Sequence, residues 1–266
     1  MFAVDNRTLA NLEPTVRRVI VADPNMASAR LLVDLMKGLG AREILIEVDD
    51  ARILTLASEF EPGLILTERI GPRLNGENLT RMLRRSTLAC RQAPVIMVTA
   101  DATASTIKGA RDAGVHEFLR KPFTAADLAR RVETVATRPR GWVEGVSYVG
   151  PDRRRFNSGD YVGEFKRKND EPTGRAKIVA AKGQAFRILA AALAQFDDDP
   201  TQAVRAARKQ AEILKAVALK ERDAALAVAA TTLEGALATG VSKASLAGPI
   251  GGLLALADPV TLARAG

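Results

Sequence analysis

Four polar residues close, or nearly close, four short apolar runs. Asp23 ends VRRVIVAD (16–23), Glu68 ends GLILTE (63–68), Thr99 lies at the end of PVIMVTA (94–100), and Lys121 lies in HEFLRKP (116–122). If the runs are parallel strands of one sheet, their ends meet along a single edge. Two carboxylates, a hydroxyl and an ammonium gathered there suit a divalent cation and a phosphoryl group. Carboxylate oxygens suit Mg²⁺, and a lysine neutralises phosphate as a point charge. Any one of these residues alone is an ordinary turn residue; the ordered set of four is the signal.

The elements that must position them are legible as a pattern. A fifth apolar run, EILIEV (43–48), joins the other four. Near-continuous apolar runs are the mark of strands buried on both faces. Between them lie stretches of helical period: Met26, Leu31, Leu32, Leu35 and Met36; then Ile53, Leu54, Leu56, Ala57 and Phe60; then Leu79, Met82, Leu83 and Leu88. Ile107, Ala110 and Ala113 stop at Gly114, and Leu128, Val132 and Val135 follow Thr124, placed as an N-cap. Five strands alternating with five helices predict an α/β doubly wound parallel sheet, with a site at the carboxyl ends of its strands.

Composition bounds the rest. The 266 residues suffice for about two domains. A single cysteine, Cys90, excludes a disulfide framework and points to a reducing, cytoplasmic setting. The start lacks a signal-peptide pattern, and the longest apolar run, Leu246 to Ala257, is interrupted by Pro249 and three glycines, too short for a membrane span. The single histidine, His116, lies outside the helical region, which argues against a histidine phosphotransfer domain. A net charge of +8 favours anionic partners in general, but an aromatic content of 4% leaves few stacking platforms for nucleic acid.

VIVADPN, LILTERIGPRLNG, PVIMVTADA and GVHEFLRKPFT together make the segment from Val16 to Thr137 resemble the receiver domain of bacterial two-component response regulators. The resemblance implies a flavodoxin-like sheet of order 2-1-3-4-5, a phosphoacceptor aspartate after the third strand and an acidic pair after the first. It also implies a Thr or Ser switch, a lysine that pairs with phosphate, a cis proline and an aromatic switch residue. Thr99, Lys121, Pro122 and Phe118 keep those types, and Asp23 keeps one member of the acidic pair. Two positions depart: Pro24 replaces the second acid, and Glu68 stands at the phosphoacceptor position. With only Asp23 and Glu68 as anionic ligands, Mg²⁺ affinity should be weak. The extra methylene of Glu68 displaces a nucleophile whose placement controls the reaction. Glu68 is then either a built-in, partial phosphate mimic or the mark of a receiver kept as a rigid scaffold.

The sequence divides into a polar arm (1–15), the receiver-like segment (16–137), a basic linker (138–175) and an alanine-rich helical region (176–266). From 138 to 177, ten Lys or Arg face six Asp or Glu. Arg153, Arg154 and Arg155 are candidate anion ligands, since guanidinium groups bind phosphate bidentately; a cyclic dinucleotide is the ligand class they would suit. The more ordinary reading is a solvated charged linker, in which a repeated Tyr-Val-Gly (148–150 and 161–163) suggests extended passes against the receiver. In the helical region Ile178, Val179, Phe186, Leu189, Leu193 and Phe196 make one stripe. Asp199 and Pro200 restart a helix predicted to run towards Thr239, with Val204, Ala207, Ala211, Leu214, Ala218 and Ala225 as its seam. Residues 241–266 read as a short capped helix with a Gly-Pro break, then an apolar end. Two long helices cannot bury both faces alone, so a hairpin or bundle docked on the receiver or paired with a second copy is expected.

The sequence thus predicts an atypical response regulator, not an enzyme, that works through protein partners, with a helical region for homodimerisation or docking and no membrane span. A cyclic-dinucleotide effector is the alternative, and a DNA-binding regulator comes third, since suitable helix-turn-helix spacing is lacking.

Overall fold

A computed structural model describes residues 6–153 and 174–257. The chain divides into two compact units, Met1–Val143 with Tyr148–Tyr161, and Glu144–Ser147 with Val162–Gly266.

In the first unit the elements run α1 (Asn6–Val16), β1 (Arg18–Ala22), α2 (Met26–Gly38), β2 (Glu43–Ile46), α3 (Asp50–Phe60) and β3 (Leu64–Thr67). Two very short strands follow, β4 (Ile70–Gly71) and β5 (Leu74–Asn75), then α4 (Gly76–Arg85), a 3₁₀ turn (Ala89–Gln92) and β6 (Val95–Thr99). α5 (Ala104–Ala113), β7 (Glu117–Arg120), α6 (Ala125–Thr137), β8 (Trp142–Glu144) and β9 (Val149–Pro151) complete it. The main sheet has the order β2-β1-β3-β6-β7, every pair parallel. This is the doubly wound, flavodoxin-like arrangement that the alternating pattern predicts.

Strand period sorts the side chains into two cores. Val19, Val21, Leu64, Leu66, Ile96, Val98 and Leu119 pack with Leu32, Met36, Leu128 and Val132 on one face. Ile20, Ala22, Ile65, Val95, Met97 and Phe118 pack with Ile53, Leu79, Leu83 and Ala110 on the other. Side-chain caps fix where helices begin: Asn25 for α2, Asp49 for α3, Asn75 for α4, Thr103 for α5, and a Thr124–Asp127 capping box for α6.

Two segments differ from the sequence expectation. The polar arm holds α1, whose Leu12 and Val16 are buried in the first core, so the apolar pair four residues apart seats a helix. Within the expected linker, β8 and β9 pair as a small separate sheet. Tyr148-Val149-Gly150 contributes to β9; the second Tyr-Val-Gly lies outside the described residues.

The second unit is a bundle of α7 (Gly174–Ala194), α8 (Pro200–Glu221), α9 (Ala224–Ala238) and α10 (Lys243–Ala255), which pack against one another. Asp199 caps α8 and Pro200 occupies its first turn. The long helix expected from Pro200 towards Thr239 is broken: Arg222 takes a left-handed conformation (φ 55°) and Asp223 caps the next helix. That break folds the chain back, so four helices bury their own core of Phe186, Leu189, Ala207, Leu214, Leu233 and Ile250. Two more expectations change. Val179 lies exposed rather than on the buried stripe, and α10 continues through Pro249 instead of breaking there. Among the described residues no helix is long and apolar enough to cross a membrane.

Candidate functional site

The carboxyl ends of β1, β3 and β7 gather three of the predicted residues. The Glu68 amide donates to the Ala22 carbonyl at 2.7 Å, tying the end of β3 to that of β1. The Lys121 amide donates to the Thr99 carbonyl at 2.9 Å, tying β7 to β6. Across this edge Lys121 Nζ donates to Asp23 Oδ2 at 2.6 Å and to Glu68 Oε2 at 2.8 Å. Asp23 is buried, while Lys121 and Glu68 keep a minority of their side-chain surface in solvent. Burial alone would lower the lysine, but the hydrogen bonds and charges of Asp23 and Glu68 outweigh it and hold Lys121 above its ordinary value of 10.5.

Every carboxylate oxygen of the pair is engaged. Asp23 Oδ1 accepts the Asn25 amide at 2.9 Å, and Oδ2 accepts the Ser28 hydroxyl at 2.6 Å as well as Lys121. Glu68 Oε1 accepts the Arg69 amide at 2.8 Å. Asn25 and Ser28, which hold Asp23, were not among the sequence candidates; their signal is the N-cap position just after an apolar strand. The backbone leaves little slack here, since a Cβ at Gly76 would lie 2.3 Å from the Glu68 carbonyl oxygen.

Thr99 and Phe118 lie on one sheet face by strand alternation, and both are buried. Thr99 Oγ1 accepts the Asp101 amide at 3.4 Å, and Phe118 sits in the second core. The Lys121–Pro122 peptide is cis. Pro24 offers no oxygen at the acidic-pair position; its ring packs on the backbone of Gly71, where an added Cβ would come within 2.6 Å of Pro24 Cγ. Arg69 joins Asp101 at 2.8 Å, linking the loops that follow β3 and β6.

These residues do not fit Mg²⁺. A hard dication wants about six oxygens, several of them carboxylate, whereas here only two carboxylates are present, the Lys121 ammonium bonds both and offsets one of their two charges, and each of their oxygens already accepts a hydrogen bond. Among the described residues no group of three or more His, Cys, Asp or Glu side chains could hold a metal ion.

Of the arginine candidates, Arg153 donates to Asp112 at 2.9 Å and stacks over the Tyr148 ring at 4.4 Å. Burial would raise Asp112, but Arg153 and Arg111 outweigh it and hold its carboxyl below the usual range. Arg154 and Arg155 lie outside the described residues.

A second buried polar cluster was not foreseen from sequence. Arg84 donates to the carbonyls of Gly114, Arg91 and Ala93, and its Nη2 lies 3.1 Å from His116 Nδ1. Trp142 lies 5.5 Å from both the Arg84 and the Arg91 guanidinium. Burial pushes the Arg84 pKa down to about 9. In the second unit, Gln202 donates to Glu144 Oε1 at 2.9 Å and Gln210 to the Glu144 carbonyl at 3.2 Å. An alanine-rich helix pattern gives no sign of such partners.

A parallel sheet of this order, carrying a lysine clamped between two acids at its carboxyl edge, defines a module of the receiver type. Residues 19–133 match the family model described as the response regulator receiver domain, and this part of the chain is a receiver domain. Its relatives include the DNA-binding response regulator MtrA of Mycolicibacterium paratuberculosis, 28% identical over 116 residues that cover 44% of this chain and 49% of that protein. The chemotaxis protein CheY of Pseudomonas aeruginosa is 27% identical over 124 residues, covering 47% of this chain and 99% of CheY. Among solved structures, the receiver domain of the sensor histidine kinase PA1611 of Pseudomonas aeruginosa aligns with a TM-score of 0.42 at 24% identity, over 45% of this chain and 97% of that one. The chain spans about half the length of the MtrA relatives it matches.

Proposed function

We propose that the chain is an atypical response regulator whose receiver holds one signalling state without a phosphorylation cycle, and whose output passes through protein contacts. The observation that supports this most is the position of Lys121 Nζ, hydrogen-bonded at once to Glu68 and Asp23. A fixed carboxylate on the longer Glu68 side chain occupies the lysine that would otherwise stabilise a phosphoryl group. The proline at position 24 withholds the oxygen that would help hold a metal. Phosphoryl transfer depends on positioning and charge stabilisation, and both are compromised. The mimicry is partial: Glu68 engages the lysine, while the Thr99 hydroxyl accepts from the Asp101 amide. The helical unit is the second component of this reading, supplying surface for self-association or for a partner.

The test is incubation with acetyl phosphate and Mg²⁺ followed by intact-protein mass spectrometry. The native chain should gain no phosphoryl group, and ¹⁹F spectra should show no bound beryllofluoride. Glu68→Asp combined with Pro24→Asp should restore beryllofluoride binding. An acyl phosphate on Glu68 of the native chain would overturn the proposal.

A further inference from the structure

Polar contacts at the carboxyl edge of the sheet close on themselves. Lys121 Nζ donates to Glu68 Oε2 at 2.8 Å, and the Arg69 amide donates to Glu68 Oε1, also at 2.8 Å. The Arg69 guanidinium reaches Asp101 Oδ2 at 2.8 Å through Nη2. The Asp101 amide donates to Thr99 Oγ1 at 3.4 Å, and the Lys121 amide donates to the Thr99 carbonyl at 2.9 Å, which returns the path to its start. Glu68 therefore has two routes to Thr99. The route through Lys121 ends on the Thr99 main chain; the route through Arg69 and Asp101 ends on its hydroxyl.

Stability alone does not explain Arg69. Among the described residues, its Nε is the buried side-chain nitrogen with no hydrogen-bond partner. A buried donor without an acceptor forfeits its hydration and gains nothing in return, so a guanidinium held in that place calls for another reason. Its main chain is pinned as well: the Arg69 carbonyl accepts the Gly76 amide at 2.8 Å, and two residues on, Gly71 meets the Pro24 ring. Both departures from the receiver pattern thus bear on this segment, Glu68 on the Arg69 amide and Pro24 on Gly71.

At the far end Asp101 is anchored in its ionised form. The Thr106 hydroxyl leads the causes that hold its carboxyl below the ordinary range; desolvation opposes, and Thr103 and Arg69 add to the lowering. Asp101 Oδ1 accepts the Thr103 amide at 3.4 Å, and Thr103 caps α5. The ion pair therefore joins the end of β3 to the start of α5, with the Thr99 hydroxyl beside the join.

We propose that Arg69 and Asp101 are positioning residues that pass the fixed charge of Glu68 to the Thr99 hydroxyl. This rests on the reading of Glu68 as a permanent signal and deepens it: the Glu68 oxygens end on Lys121 and the Arg69 amide, and the ion pair spans the remaining distance to the switch threonine. Its test is separate from the search for an acyl phosphate, so either can fail alone.

The experiment is methyl NMR on the full chain with ¹³C-labelled threonine, the Thr99 signal being the one lost in Thr99→Ser. The perturbation is Glu68→Gln. Both Glu68 oxygens accept, whereas a glutamine offers one acceptor and one donor group, so one of the two links must open. Glu68→Gln should move the Thr99 methyl signal in the native background. In the Arg69→Ala background it should move it less than about a quarter as far, since groups that act through one another are not additive. Asp101→Asn breaks the same ion pair from the other side and should damp the shift equally. Arg69→Lys keeps the charge and has no Nε to strand; it should restore the Glu68→Gln shift and exceed Arg69→Ala in urea midpoint. Unchanged Trp142 emission shows that each variant keeps the receiver fold. An equal Glu68→Gln shift with and without the Arg69 guanidinium would route the charge through Lys121 and overturn the proposal, as would a Thr99 signal that Glu68→Gln leaves in place.

Discussion

Lys121 shows how one side chain decides the character of the acidic edge. Its ammonium is the shared partner of a buried aspartate and a glutamate, and removing it leaves two carboxylates facing each other without a counter-charge. Lys121→Met should therefore cost about 2–4 kcal/mol of receiver stability, measured by urea denaturation, since breaking a buried pair strands the remaining charge. A cost under about 0.5 kcal/mol, the range of an ordinary surface substitution, would show that the clamp matters little. The pH dependence has a definite sign. Because the folded-state pKa of Lys121 is raised above 10.5, its contribution is complete below that value and is lost as pH climbs through the folded value. His116 acts at the other end of the scale. Burial first, then the charges of Arg84 and Arg140, hold it well below 6.5. Its Nδ1 accepts the Val95 amide at 3.3 Å and faces Arg84 Nη2, which leaves the ring proton on Nε2. Below pH 6.5 the unfolded chain binds a proton that the folded chain refuses, so stability should fall as pH drops, with a limiting slope of about 1.4 kcal/mol per pH unit. The chain has one histidine, so a flat stability profile between pH 5 and 6.5 would contradict this placement directly.

At the scale of elements, what sequence reveals is what repeats. Strands β1, β3 and β6 were visible because they are almost wholly buried and read as near-continuous apolar runs, while the edge strand β2, only partly buried, still showed its Ile44-Leu45-Ile46 run. The acidic edge was visible because polar residues end those runs at ordered places. α1 was not, because only Leu12 and Val16 anchor it and its other positions are mainly polar. The hairpin of β8 and β9 was hidden as well: its strands are three residues each, too short to show period two amid so many charges. The break between α8 and α9 lacks a glycine or proline. Arg222 takes the left-handed turn at its own cost, and the clue that remains is Asp223, whose carboxylate accepts the Leu226 amide at 3.0 Å. That hydrogen bond leads the causes that hold the Asp223 carboxyl below its ordinary range; burial opposes it, and Lys182 adds to it. Asp223→Ala should destabilise the bundle by about 1 kcal/mol, as loss of an N-cap does, seen as a lower midpoint in thermal or urea unfolding. Asp223→Asn, which keeps the cap, should recover most of the loss near neutral pH. In the native chain the charged form's contribution is present above about pH 4 and lost as pH falls through the depressed folded value. Equal losses from alanine and asparagine would assign the effect to the Lys182 ion pair instead.

For the whole molecule, the relevant fact is that among the described residues each of the three apolar clusters draws its members from one unit alone. Cooperativity follows shared packing, and chains with separate cores depart from all-or-none unfolding. A reporter is built in. Trp142, the one tryptophan, belongs to the receiver unit beside Arg84 and Arg91, so its fluorescence follows that unit, while far-UV ellipticity follows the helices of both. Leu66 and Leu214 are fully buried, one in each unit, and truncating either to alanine should cost about 2–5 kcal/mol. Leu66→Ala should lower the urea midpoint of the tryptophan signal. Leu214→Ala should leave that midpoint in place and split the far-UV curve, with the bundle's share of the helix signal lost at lower denaturant. If Leu214→Ala instead drags the tryptophan transition down as far as Leu66→Ala does, the two units unfold as one.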